Sequence, residues 1–162
     1  LPDIPAEQFE RRFQRVEQLL ATSHQLPATS HQLPAISYQL INNLGLGSGL
    51  TPAGDDVALG FLLAAHRWSG LLCPGLDLQS TSRAIQQAAY GKTSTLSANL
   101  IECAAQGQAD ERLILALDGI ITGQPESDVC LSILSGWGSS SGMCALQGMA
   151  LAIKTFNPQV NP

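Results

Sequence analysis

The chain has 162 residues, is 44% hydrophobic and only 13% charged, and carries a formal charge of −5. A chain of this length makes about one domain with a sizeable core. Three of its eight basic residues cluster at Arg11, Arg12 and Arg15, which leaves no basic face for a nucleic-acid backbone. No apolar run reaches the length of a membrane span and no signal-peptide pattern opens the chain, so a cytoplasmic protein is expected. Cys73, Cys103, Cys130 and Cys144 lack metal-ligand spacing and read as reduced, mostly buried thiols. The first residue is Leu1 rather than Met, the expectation for a processed or trimmed chain or for one domain of something longer.

Phe9, Phe13, Val16, Leu19 and Leu20 fall at helical spacing and predict an N-terminal helix ending near residue 20. A seven-residue unit then repeats: Ala21–Pro27 recurs as Ala28–Pro34 and degenerates after Ala35. The prolines break helix and the copies are too few for a solenoid, so residues 21–35 read as a linker. His24 and His31 belong to that repeat and read as copies of a spacer rather than as metal ligands. Helices are predicted over Ile36–Asn43, Pro52–Trp68, Thr81–Tyr90, Thr95–Gln106, Asp110–Thr122, Glu126–Leu134 and Gly142–Phe156, with a short tail at 157–162. Nowhere do apolar and polar residues alternate as in a strand. The fold class is therefore all-α, a bundle of six to eight helices with glycine-rich loops at helix N-termini.

The loop before the second predicted helix is the most informative segment. Gly45, Gly47, Ser48, Gly49, Thr51 and Gly54 run through Thr51-Pro52 into Asp55 and Asp56. Glycines let a ligand approach main-chain N–H groups, and Thr-Pro reads as an N-cap with the first helical residue. The positive end of a helix suits a small anion. Aspartates at that place orient a ligand, move a proton or gain from the helix dipole. Asp55 and Asp56 are thus the candidate catalytic residues.

Two further segments share this chemistry. Thr93, Ser94 and Ser97 form a hydroxyl cluster entering a helix, and Gly138, Ser139, Ser140, Ser141 and Gly142 form another. Gly136-x-Gly138-Ser139 echoes Gly45-x-Gly47-Ser48, and Gly142, Cys144 and Gly148 repeat the offsets of Gly54, Asp56 and Gly60. Two loop-helix units packed about a pseudo-two-fold follow, with both loops and Thr93–Ser97 around one pocket. Asp56, the counterpart of Cys144, then faces the companion helix, and Asp55 faces elsewhere. Gly91-Lys92-Thr93 lacks the earlier glycine and the strand of a phosphate-binding P-loop. Ser80 reads as a helix N-cap, and His66 lies too far along its helix from Asp55 to share a site. Lys92 and Arg83 are the basic side chains nearest in sequence.

GLGSGLTPAGDD, KTSTLSANLIECAAQG and GWGSSSGMCALQGMALAI resemble the three signature blocks of the AllH-like family, over Ile36 to Ile153. Against the family pattern, Ser48 stands for Pro, Ala53 for Ser, Ser139 for His and Cys144 for Asp. The resemblance implies a subunit of an oxamate carbamoyltransferase in purine degradation, working with partner subunits or as a homo-oligomer on a small anionic ligand. A non-catalytic sensing or scaffold subunit is the alternative. Neither the residues nor the resemblance names a cofactor.

Overall fold

The computed structural model describes residues 33–156, which form eight helices and, among the described residues, no strand. They are α1 (Leu33–Asn43), α2 (Ala53–Arg67), α3 (Ser69–Leu72), α4 (Gln79–Lys92), α5 (Thr95–Ala104), α6 (Glu111–Thr122), α7 (Ser127–Ser135) and α8 (Ser141–Phe156). The protein is all-α. The helix predicted near residues 6–20, most of the linker and the tail lie outside the described residues. α1 begins at Leu33, earlier than expected, because Pro34 falls in its first turn, where its missing N–H has no intrahelical partner to lose.

α2 lies at the centre. Every residue from Gly54 to Ala65 is buried, in keeping with a sequence that is apolar on all sides. α8 packs along it, α5 and α1 cover other sides, α4 joins α1 to α5, and α6 pairs with α7. α6 shows how local sequence sets such an element. Leu113, Ala116, Leu117, Ile120 and Ile121 form its buried stripe, Asp110 caps it by accepting the Arg112 N–H, and Gly123 ends it in the left-handed conformation.

Backbone meets backbone between α2 and α8. A Cβ on Gly60 would lie 1.9 Å from the Ala145 carbonyl oxygen, and one on Gly148 would lie 2.0 Å from that of Val57. The contact is reciprocal, because Val57 and Ala145 occupy equivalent places after Gly54 and Gly142. Gly54 in turn packs on the Asn43 carbonyl, and Gly142 on that of Leu134. The loop hydrogen bonds repeat as well. Leu46 N–H donates to Asn43 at 3.1 Å and Gly54 N–H to Leu46 at 3.0 Å; Trp137 N–H donates to Leu134 and Gly142 N–H to Trp137, each at 3.0 Å. Mutual contacts of this kind are what a two-fold axis generates. α1–loop–α2 and α7–loop–α8 are two versions of one unit.

Two expected caps fall elsewhere. Helix α4 begins at Gln79, so Ser80 lies inside its first turn; the Asp77 carboxylate takes the Gln79 N–H at 2.8 Å. α2 begins at Ala53 after Pro52, and the Thr51 hydroxyl makes no cap bond. The cysteines are free thiols: Cys73 and Cys130 are buried, Cys144 is half-buried, and Cys103 is exposed. His66 is half-buried and bonds Ser82 Oγ at 2.5 Å through Nε2. At the far end of α2, Arg67 grips both carboxylate oxygens of Asp118 at 2.8 and 2.7 Å, and the Trp68 indole N–H adds a third donor at 2.9 Å. The pair is partly exposed, so Asp118→Ala is expected to cost only about 1 kcal/mol, read as a small fall in Tm.

Candidate functional site

The loop from Gly45 to Pro52 leaves α1 by a turn that requires glycine: Gly45 has φ +78°, and a Cβ there would lie 2.4 Å from the Lys92 carbonyl oxygen. Asp55 fastens this turn. Its Oδ1 accepts the Gly45 N–H at 2.8 Å, and its Oδ2 accepts the Thr93 hydroxyl. The Ser94 hydroxyl donates to the Leu50 carbonyl at 3.3 Å while capping α5 through the Ser97 N–H. The segment Thr93–Ser97 is thereby tied to the first loop.

The second loop arrives from the other side. Ser141 Oγ lies 3.1 Å from Thr51 Oγ1, which joins the two loops beside Asp56. Asp56, the counterpart of Cys144, faces α8; Asp55, a third of a turn away, faces Gly45 and Thr93. Both carboxyls are 2% exposed. Burial pushes the Asp56 pKa up to about 6 against the pull of the Ser141 and Thr51 hydroxyls, with the Asp55 charge adding to the rise. Burial, and then the Asp56 charge, push the Cys144 thiol up as well.

The outer parts of these segments face solvent. Gly47, Ser48 and Gly49 are exposed, as are Ser94, Gly138, Ser139 and Ser140, whereas Gly54, Ser97 and Gly142 are buried. Among the described residues, no backbone carbonyl accepts the N–H groups of Gly47, Ser48, Gly49 or Thr51, nor those of Ser139, Ser140 or Ser141. Ser97 Oγ is buried without a hydrogen-bond partner, in the first turn of α5, where a helical side chain leans toward the N-terminus. The N–H groups of the two loops lie at helix starts and open to solvent.

The basic neighbours differ from those that sequence distance suggests. Arg83 lies near the start of α4, about 13 Å along the helix from Lys92, where it bonds Gln79. Lys92 Nζ caps the Ile41 carbonyl at the end of α1, at 3.1 Å. Arg112, which no motif marked, reaches from α6 to the Gly136 carbonyl at 2.9 Å and so borders the second loop. Its one sequence signal is that it follows the helix cap Asp110, which it also bonds. No group of three or more His, Cys, Asp or Glu is placed to hold a metal ion among the described residues, and no helix there is long and apolar enough to cross a membrane.

A buried central helix, its pseudo-symmetric partner and two loops with solvent-facing N–H groups define a helical domain with one candidate functional site. Residues 43–153 match the family model described as oxamate carbamoyltransferase subunit AllH, and the chain belongs to that family. No curated protein and no solved structure matches the chain.

Proposed function

We propose that this protein serves an oxamate carbamoyltransferase complex of purine degradation by binding a small carbamoyl- or phosphate-bearing anion where the starts of α2, α5 and α8 converge. The observation that carries this reading is the set of N–H donors without backbone acceptors on two loops joined at Thr51 and Ser141. In this reading Gly47, Ser48, Gly49, Ser139, Ser140 and Ser141 present the backbone to the ligand, whereas the N–H groups of Gly45 and Gly142 are already taken by Asp55 and Trp137. Thr93, Ser94 and Ser97 close the third side. Asp56 is the carboxyl suited to orient the ligand or move a proton. Asp55, with both oxygens engaged, is a positioning residue.

Among the described residues the site brings two carboxylates and no unengaged cation, since Lys92 and Arg112 both cap carbonyl oxygens. The subunit family to which the chain belongs makes a partner subunit the natural source of the balancing charge in this reading. Leu46, Leu50 and Leu96 are 58%, 73% and 43% exposed on the loops bordering the site, which gives such a subunit apolar surface to cover.

A thermal-shift series with carbamoyl phosphate, phosphate, oxamate and Mg²⁺ tests this reading. A ligand at one hundred times its Kd is expected to stabilise the domain by about 2.7 kcal/mol, a rise of several degrees in Tm. No shift with any of them, with or without partner subunits, would favour a scaffold in which the loops only lock helix packing.

A further inference from the structure

Ser97 is 1% exposed in the first turn of α5, and its Oγ has no hydrogen-bond partner. The hydroxyls just before it are engaged. Thr93 donates to Asp55, and Ser94 donates to the Leu50 carbonyl while accepting the Ser97 N–H. A helical serine or threonine can return its proton to the carbonyl four residues back, as Ser82 does to Leu78, Thr122 to Asp118 and Thr155 to Leu151. Ser97 lacks that outlet. Thr93 is extended, with φ −134° and ψ −174°, so its carbonyl lies outside the α5 ladder. A buried polar atom left open in this way is rare in a native fold, and here it sits beside the solvent-facing loops.

We propose that Ser97 is a specificity-determining contact of the ligand site, and that its hydroxyl takes the uncharged, amide-like end of a small anion whose charged end rests on the exposed loop N–H groups. The inference rests on the anion-binding reading above and adds which way round the ligand lies. A hydroxyl donates to a carbonyl oxygen and accepts from an amide N–H. Charge opposes the reverse orientation. Thr93, close before Ser97 in the chain, is bonded to the buried Asp55 carboxylate, and Asp56 is buried next to that. A negative group brought to this depth meets both carboxyls with, among the described residues, no unengaged cation at the site. An uncharged end also gives up its water at lower cost. The way in is a weak point of the cover. The Ser94 hydroxyl holds the first loop by a 3.3 Å bond to the Leu50 carbonyl, longer than an ordinary O–H···O contact. Release of that bond frees the loop from the first turn of α5 and leaves the Gly45–Asp55–Thr93 fastening in place.

Ser97→Ala, made in the full chain, tests the inference twice. In the free protein it removes a hydroxyl that nothing satisfies, so Tm should hold or rise slightly. A fall of several degrees would show that the hydroxyl is partnered there and overturn the premise. Calorimetry then compares oxamate with oxalate, which has a second carboxylate in place of the amide and is read by competition where it binds weakly. The wild type should hold oxamate more than about tenfold more tightly than oxalate. Ser97→Ala should weaken oxamate about tenfold and leave oxalate within about twofold. Oxalate binding the wild type as tightly as oxamate overturns the orientation. An equal loss of both ligands in the variant, or no loss of oxamate, overturns the contact while the anion site stands. If the wild type binds neither, alone or with partner subunits, the ligand reading itself falls and this inference with it.

Discussion

Gly60→Ala is expected to destabilise the domain by about 3 to 5 kcal/mol, among the largest effects available to a single methyl group. The new Cβ would lie 1.9 Å from the Ala145 carbonyl oxygen and 2.7 Å from its carbonyl carbon. Neither atom is a side-chain end that swings aside. The α2 and α8 backbones must separate, and the contacts of Phe61, Leu62, Leu146 and Met149 loosen with them. Gly148→Ala should behave alike, since its Cβ would meet Val57 and Phe61 backbone from the equivalent place. The double variant should cost less than the two singles added, because the first separation makes room for the second methyl. Gly91→Ala is the control: it lies in α4 with open space around it, and alanine there should stabilise by up to about 1 kcal/mol. Chemical denaturation of the four variants beside the wild type decides the matter. Equal stability of Gly60→Ala and wild type would remove the backbone contact from the account of the fold.

A second large effect is expected from Asp56→Asn, and it depends on pH. The carboxyl has a folded pKa of about 6 against an ordinary value of 3.8, so between those values the folded state holds a proton that the unfolded chain releases. Stability contributed by this group therefore falls as pH rises through that window. Fully developed above pH 6, the loss is about 3 kcal/mol. Asparagine keeps a neutral polar group at the junction and removes the titration. The stability of Asp56→Asn relative to wild type should thus rise by about 2 to 3 kcal/mol between acid and slightly alkaline pH. Denaturation at a series of pH values measures it. A relative stability that stays constant, or falls, would mean that the ionised carboxylate is well accommodated.

The helices were legible because their apolar spacing and their glycine and proline boundaries agree. Ser94 and Asp110 cap the helices that follow them, and Gly123 closes α6. The echo between the two loops was legible because close backbone contact leaves a mark in sequence: only glycine serves at Gly60 and Gly148. The misreadings arose where a polar side chain had two possible partners. Thr51 looks like a cap, yet a serine ninety positions away takes its hydroxyl. Ser80 looks like a cap, yet Asp77 is the better-placed acceptor. Arg112 carries no motif at all; its place beside the second loop follows from how the α6–α7 pair packs. Local propensity cannot rank partners that only the tertiary fold brings near.

The union of α2 with α8 also sets a schedule for folding. Among the described residues the most buried helix, α2, is made before the five helices that separate it from α8, the helix that covers it. Until synthesis has passed Phe156, the apolar run from Val57 to Ala65 has no permanent cover, and contacts so distant in sequence close slowly. α1 and α5 can shelter parts of it in the interval, but neither brings the carbonyl that Gly60 is shaped to meet. A growing chain therefore carries its stickiest segment unfinished while the five helices between α2 and α8 are made. It gains its hydroxyl–carboxyl junction, and with it any capacity to hold a ligand there, only once Ser141 has swung into place.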